Sequence, residues 1–92
     1  MSRMKPNERL ELILKVAVSL AEKTHFTALT HVDIARVVEC SPGLIKHYLG
    51  TVPEMQIRVL RAAIKAGVVS VVEQGQRYGL VTPRGRLRQC AR

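Results

Sequence analysis

The stretch LTHVDIARVVECSPGLIKHYLGT, Leu29 to Thr51, carries three helix-start signals and decides how the whole chain is read. Thr30 with Asp33 forms a shortened capping box, in which the hydroxyl accepts from the first helical turn and the carboxylate reaches back to the Thr30 N–H. Ser41 followed by Pro42 is the second start. Serine caps, and proline suits the first helical position because its missing N–H would be an orphan there anyway. Thr51 with Glu54 is a full T-x-x-E box and opens the next helix. The starts at Ser41 and Thr51 leave room for only a short helix between them. Its apolar side is Leu44, Ile45 and Leu49, and its polar side is Lys46 and His47. Gly43, near its beginning, lets a partner approach the backbone. The helix before it draws its apolar stripe from Ile34, Val37 and Val38.

Upstream, apolar positions Leu10, Ile13, Leu14, Ala17, Leu20 and Ala21 recur at spacings of three and four, which predicts a first helix from Asn7 as N-cap to about Thr24. Phe26 and Leu29 then read as loop anchors into the core. Downstream, a long fourth helix is predicted from about Val52 to Gln74, with Gly75 as its C′ residue. It carries two apolar stripes: Leu60, Ile64, Val68, Val71 and Val72, and beside them Met55, Val59, Ala63, Ala66 and Val69. One face closes a small core, so two suggest contact with another chain, the other reading being that both pack within one chain. The β-branched run Gly67 to Val72 also fits a strand. The expected class is therefore all-α: residues 1–75 form a three-helix core plus a long fourth helix used for dimerisation, and residues 76–92 a basic tail, with extended backbone as one reading.

Charge is uneven. The chain of 92 residues has a formal charge of +8, and all five basic residues of 76–92 are arginines with no acid among them. Such an excess predicts attraction to a polyanion, nucleic acid or an anionic membrane. The longest apolar stretch, AGVVSVV, is far shorter than the roughly 20 residues of a spanning helix, and the N-terminus shows no apolar signal region. Cys40 and Cys90 lack metal-ligand or disulfide-framework spacing, so a reducing cytoplasm is expected, with Cys40 as a small core residue. His25, His31 and His47 have no matched nucleophile or carboxylate, and no Gly-rich phosphate loop precedes a helix. Neither enzymatic activity, a metal nor a cofactor is expected.

A second helix, a tight turn and a short third helix with a polar outer side is the layout of a helix-turn-helix, whose third helix enters the DNA major groove. The run Ile13 to Leu60 resembles the DNA-binding domain of TetR-type transcriptional repressors. The pieces that carry the likeness are Leu29 and Thr30, the triplet Asp33, Ile34 and Ala35, and SPGLI followed by His47 and Tyr48. In this pattern Ala35 permits close approach of the second and third helices, with Ile34, Val38, Cys40 and Ile45 in their shared core. The resemblance implies phosphate contacts from Thr30, Ser41 and Tyr48 and base contacts from Lys46 and His47, on a surface completed by His31, Pro42, Gly43 and Thr51. It departs from the family pattern at His25 and Glu39, where glycine is usual, and at Val32 and Val52, where Arg and Lys are usual. TPRGR, Thr82 to Arg86, is similar to an AT-hook core, whose Arg-Gly-Arg follows the floor of the minor groove; the other reading is a solvating basic tail. On the first, Arg84, Arg86 and Arg88 add DNA affinity.

Family members also carry a large domain that dimerises and senses a small molecule, for which this chain has no room. The expectation is thus a sequence-specific regulator, in repressor mode, that binds a palindromic double-stranded DNA operator as a homodimer and has no small-molecule ligand. Two rivals stand beside it: a protein-binding module, antitoxin-like or anti-repressor, acting through helix four, and a non-specific nucleic-acid-binding protein.

Overall fold

The computed structural model describes residues 5–87 and is all-helical. Five α-helices follow in order: α1 (Pro6–Lys23), α2 (His31–Val38), α3 (Pro42–Leu49), α4 (Val52–Ala66) and α5 (Val69–Tyr78), with a one-turn 3-10 helix, Phe26–Ala28, between α1 and α2. Arg88 and Cys90 lie outside the described residues.

Helix α1 begins two residues earlier than the Asn7 cap predicts. Pro6 occupies the first helical position and Lys5 is the cap, its N–H donating to Glu8 Oε1 at 3.2 Å. A proline donor is not missed there, so Pro6 outcompetes Asn7 for the start. The helix ends at Thr24, whose N–H and hydroxyl both donate to the Leu20 carbonyl, at 3.1 and 2.9 Å. Ile13, Ala17, Val18 and Ala21 form its buried face. The chain then turns inward, sealing Phe26 and Leu29 in the core as expected.

The three starts between Leu29 and Thr51 form by their local chemistry. Thr30 Oγ1 accepts from the Asp33 N–H at 3.1 Å, and Asp33 Oδ2 accepts from the Thr30 N–H at 3.2 Å. Ser41 Oγ accepts from the Leu44 N–H at 3.2 Å. At the third start Glu54 Oε1 accepts from both the Thr51 N–H at 2.8 Å and the Thr51 hydroxyl at 3.1 Å. That places the Glu54 carboxyl below the usual range, first through the backbone bond, then the hydroxyl bond, with Arg58 assisting and some desolvation opposing.

The long fourth helix of the sequence reading is two helices. Gly67 takes a left-handed conformation, φ 75°, and ends α4. Its N–H reaches Ile64 O at 3.2 Å, and the Val68 N–H reaches back to Ala63 O at 2.9 Å, which satisfies carbonyls the helix would otherwise leave open. The β-branched residues after it resume as helix α5, not as a strand. Gly75 is likewise not a C′ residue. It sits buried inside α5, where an added Cβ would lie 2.5 Å from Val81 Cγ2 and 2.8 Å from Leu60 Cδ2. The helix ends instead at Gly79, φ 88°.

With α5 folded back, both apolar stripes of the predicted helix four enter the core of one chain. Met55, Val59, Leu60, Ala63 and Val71 are all fully buried, while Ala66 and Val69 remain outside. Residues past Gly75 also belong to the packed body. Val81 is buried, pairs with Leu87 in an isolated antiparallel bridge, and closes a turn over Thr82–Arg86. The boundary drawn at Gln76 therefore falls within α5, and the start of the expected tail is built into the domain.

Gln74 fastens this closure. Its Nε2 donates to Ala21 O and its Oε1 accepts from the Phe26 N–H, both at 2.9 Å, so one α5 side chain holds the end of α1 and the start of the 3-10 turn. Phe26 meets Tyr78 edge-on, with ring centroids 5.4 Å apart, and stacks on His25 at 4.9 Å. Such aromatic pairs add about 0.5–1.5 kcal/mol each to the area they bury.

Candidate nucleic-acid interface

Helix α3 is clamped from behind. Ile45 and Leu49 are fully buried, as is Ile34 on α2, and Ala35 between them is 3% exposed, small enough for the two helices to sit close. Val38, Cys40 and Tyr48 pack partly buried against this core. Glu39 makes the turn between α2 and α3 in a left-handed conformation, φ 64°, at a position where the family resemblance anticipates glycine. The Cys40 N–H then donates to Ala35 O at 3.0 Å. His25, the other such position, is extended at φ −163° and carries no comparable demand.

The other side of α3 is open. Ser41, Pro42, Gly43, Lys46 and His47 are exposed, and Tyr48 is half-buried with its ring edge-on to His47 at 5.5 Å. The exposed Gly43 amide belongs to the first turn, whose N–H groups have no partner within the helix. The Ser41 and Thr30 oxygens accept at their caps, which leaves their O–H groups as donors at the starts of α3 and α2. Ammonium, imidazole, phenol, two hydroxyls and a helix N-terminus are thus presented within two short helices. These groups suit phosphate oxygens and the acceptor edges of bases. No ion pair engages Lys46 among the described residues.

Two of the candidate residues are committed elsewhere. His31 Nε2 lies 2.8 Å from the Gly50 carbonyl, to which it donates. The ring ties the first turn of α2 to the end of α3, so it positions the exposed surface and is only half-exposed itself. The Thr51 hydroxyl donates to Glu54, so its one proton is in use. Sequence reasoning missed the His31 partnership because a backbone carbonyl as acceptor leaves no residue-type signal.

Arg84 and Arg86 are exposed, but not on extended backbone. The Thr82 N–H donates to Arg86 O at 2.7 Å, the Gly85 N–H to Thr82 O at 2.8 Å, and the Arg86 N–H to Thr82 Oγ1 at 3.1 Å, closing a tight turn. Gln76 Nε2 braces it from α5, donating to Thr82 O at 3.0 Å and Pro83 O at 3.2 Å. The Arg-Gly-Arg run is bent around Gly85, φ 84°, where the tail reading allowed extended backbone. The anchors of this turn are on α5 and α4, not on α3. Arg36, exposed in the last turn of α2, is a further cation beside the interface that sequence reasoning did not single out.

Among the described residues no group of three or more His, Cys, Asp or Glu side chains could hold a metal ion, and no helix is long and apolar enough to cross a membrane. Compared with family models, curated proteins and solved structures, the chain matches none.

Proposed function

We propose that this protein is a sequence-specific double-stranded DNA-binding regulator that lays α3 into the major groove, α2 and α3 acting as a helix-turn-helix. The observation that carries the reading is the two-sidedness of α3: Ile45 and Leu49 are sealed at 0% exposure while Lys46 and His47 on the same two turns are free. A helix of eight residues is long enough to cross a groove about 12 Å wide, at 1.5 Å per residue. Lys46 donates to guanine O6 or N7, and His47 to a base or a phosphate. Thr30, Ser41 and Tyr48 fix the register on the phosphates, and His31 sets the angle of α3 through Gly50. The formal charge of +8 supplies the sequence-independent attraction. Two such units, with recognition helices about 34–36 Å apart, read a palindromic operator. In repressor mode, the dimer occludes a promoter.

Selection of bound duplexes from a random pool tests this directly. The expected product is a consensus with two inverted halves, and Lys46→Ala loses preference at one position per half by about 1–3 kcal/mol. Equal binding to unrelated duplexes at physiological salt would refute it and favour a non-specific nucleic-acid binder.

A further inference from the structure

An apolar concavity stays uncovered beside the start of α5. It is a groove of about 650 Å³ between α1 and α4, floored by Leu14, Val18, Ala62, Ala66 and Val68. Val69, next to it at the start of α5, is the most exposed large apolar side chain among the described residues, at 65%. The rim carries Glu11, Lys15, Glu22 and Lys65. None of these four has an ion-pair partner within the described chain, and their charges cancel. The rest of the protein therefore carries the whole of the +8, thirteen basic residues against five acidic.

We infer that this groove seats the α1 helix of a second copy of the chain, in an isologous dimer with α1 antiparallel to its counterpart and Lys15 of each subunit facing Glu22 of the partner subunit. The charge pattern selects this occupant. Two copies that are each strongly basic overall meet here at a rim of balanced charge, whose alternate signs answer themselves under a two-fold rotation. An anionic partner finds no net attraction at a neutral apolar rim. Helix spacing fixes the register. Lys15 and Glu22 are two turns apart on one face of α1, so an axis passing between Val18 and Ser19 brings both opposite-charge pairs together at once. Ala62 and Ala66 on the facing wall are small enough for a third helix to approach closely. The proposal deepens the dimer in the regulatory reading by giving it an interface, and its test uses no DNA.

Sedimentation of the full chain from about 1 to 100 μM is the measurement, the range in which a modest homodimer dissociates. The wild type is expected to dimerise. Glu22→Lys or Lys15→Glu alone weakens association at least about tenfold by setting like charges face to face, and the double reversal Lys15→Glu/Glu22→Lys recovers it. Ala66→Arg, at an exposed site in the last turn of α4 where a cation suits the helix end, keeps the monomer folded by circular dichroism and abolishes the dimer. A wild type that stays monomeric throughout, or a double reversal as weak as its parents, overturns the inference. A dimer that shows no sequence preference for DNA leaves the interface standing and removes only the regulatory reading; a monomer that does show one has the opposite effect.

Discussion

Gly75 is where a single methyl group separates two physical effects of opposite sign. In an ordinary helix interior, Gly→Ala stabilises by about 0.5–1 kcal/mol through backbone entropy. Here the new Cβ falls 2.5 Å from Val81 Cγ2 and 2.8 Å from Leu60 Cδ2, both on fully or nearly fully buried side chains. Overpacking of a closed core costs about 1–3 kcal/mol. The overpacking term is the larger, so Gly75→Ala is expected to destabilise by about 1 kcal/mol net and lower Tm by about 4–8 °C in a domain of this size. Val81→Ala removes the closer contact and opens space into which Leu60 can rotate. In that background Gly75→Ala should become neutral or stabilising, a coupling of about 1 kcal/mol or more between the two sites. Thermal and urea unfolding followed by circular dichroism on the four members of the cycle measures it. A higher Tm for Gly75→Ala alone, or an equal cost in both backgrounds, would show that α5 does not press on α4 and the Val81 segment as described.

Glu39→Gly should stabilise by roughly 1 kcal/mol, because it relieves a left-handed non-glycine residue; it also removes a carboxylate beside the start of α3 and should tighten DNA binding, both read by melting and by titration with a selected duplex. Gln74→Ala strands the Ala21 carbonyl and the Phe26 amide and should cost about 1–3 kcal/mol, with amide exchange at Phe26 accelerating more than at Ile45. The lowered Glu54 pKa implies a contribution present above the ordinary glutamate range and lost as pH falls through the lowered value. The Thr51 amide resonance should therefore titrate in acid solution, and Glu54→Gln should abolish that titration. Arg84→Ala/Arg86→Ala should reduce the log–log salt slope of DNA binding by about 1.8 if each arginine meets one phosphate; an unchanged slope would place the Thr82–Arg86 turn away from the duplex.

What could be read from the sequence was what local chemistry controls. The starts at Thr30, Ser41 and Thr51 depend on residues three apart, and they form where those residues stand. The core positions Ile34, Ile45, Phe26 and Leu29 followed from periodicity and flanking turns and Ala35 from the family resemblance, whereas Val37, expected on the same stripe as Ile34, is exposed. The failures share a different cause. Glycine serves both for left-handed turns and for close approach, and nothing within the sequence distinguishes the two. Gly67 reads as a helix interior although it ends one, whereas Gly75 reads as an end although it is a contact. Gln74 and His31 act on backbone atoms of distant segments, and the turn at Thr82–Arg86 depends on Gln76 and on the seat that Gly75 leaves for Val81. The all-α class survives these errors because splitting the fourth helix at Gly67 changes which surfaces are covered and how many helices form, but not their type.

The Gln74 bridge has a genetic corollary. A stop codon after Ala66 would preserve every side chain of α2 and α3, yet the shortened product would lose its latch on Ala21 and Phe26 and bare Leu60 to water. Nonsense alleles between Gly67 and Gln74 should therefore behave as nulls cleared by proteolysis, indistinguishable in phenotype from early ones. Missense changes at Lys46, by contrast, should leave an abundant, folded polypeptide with blunted sequence preference.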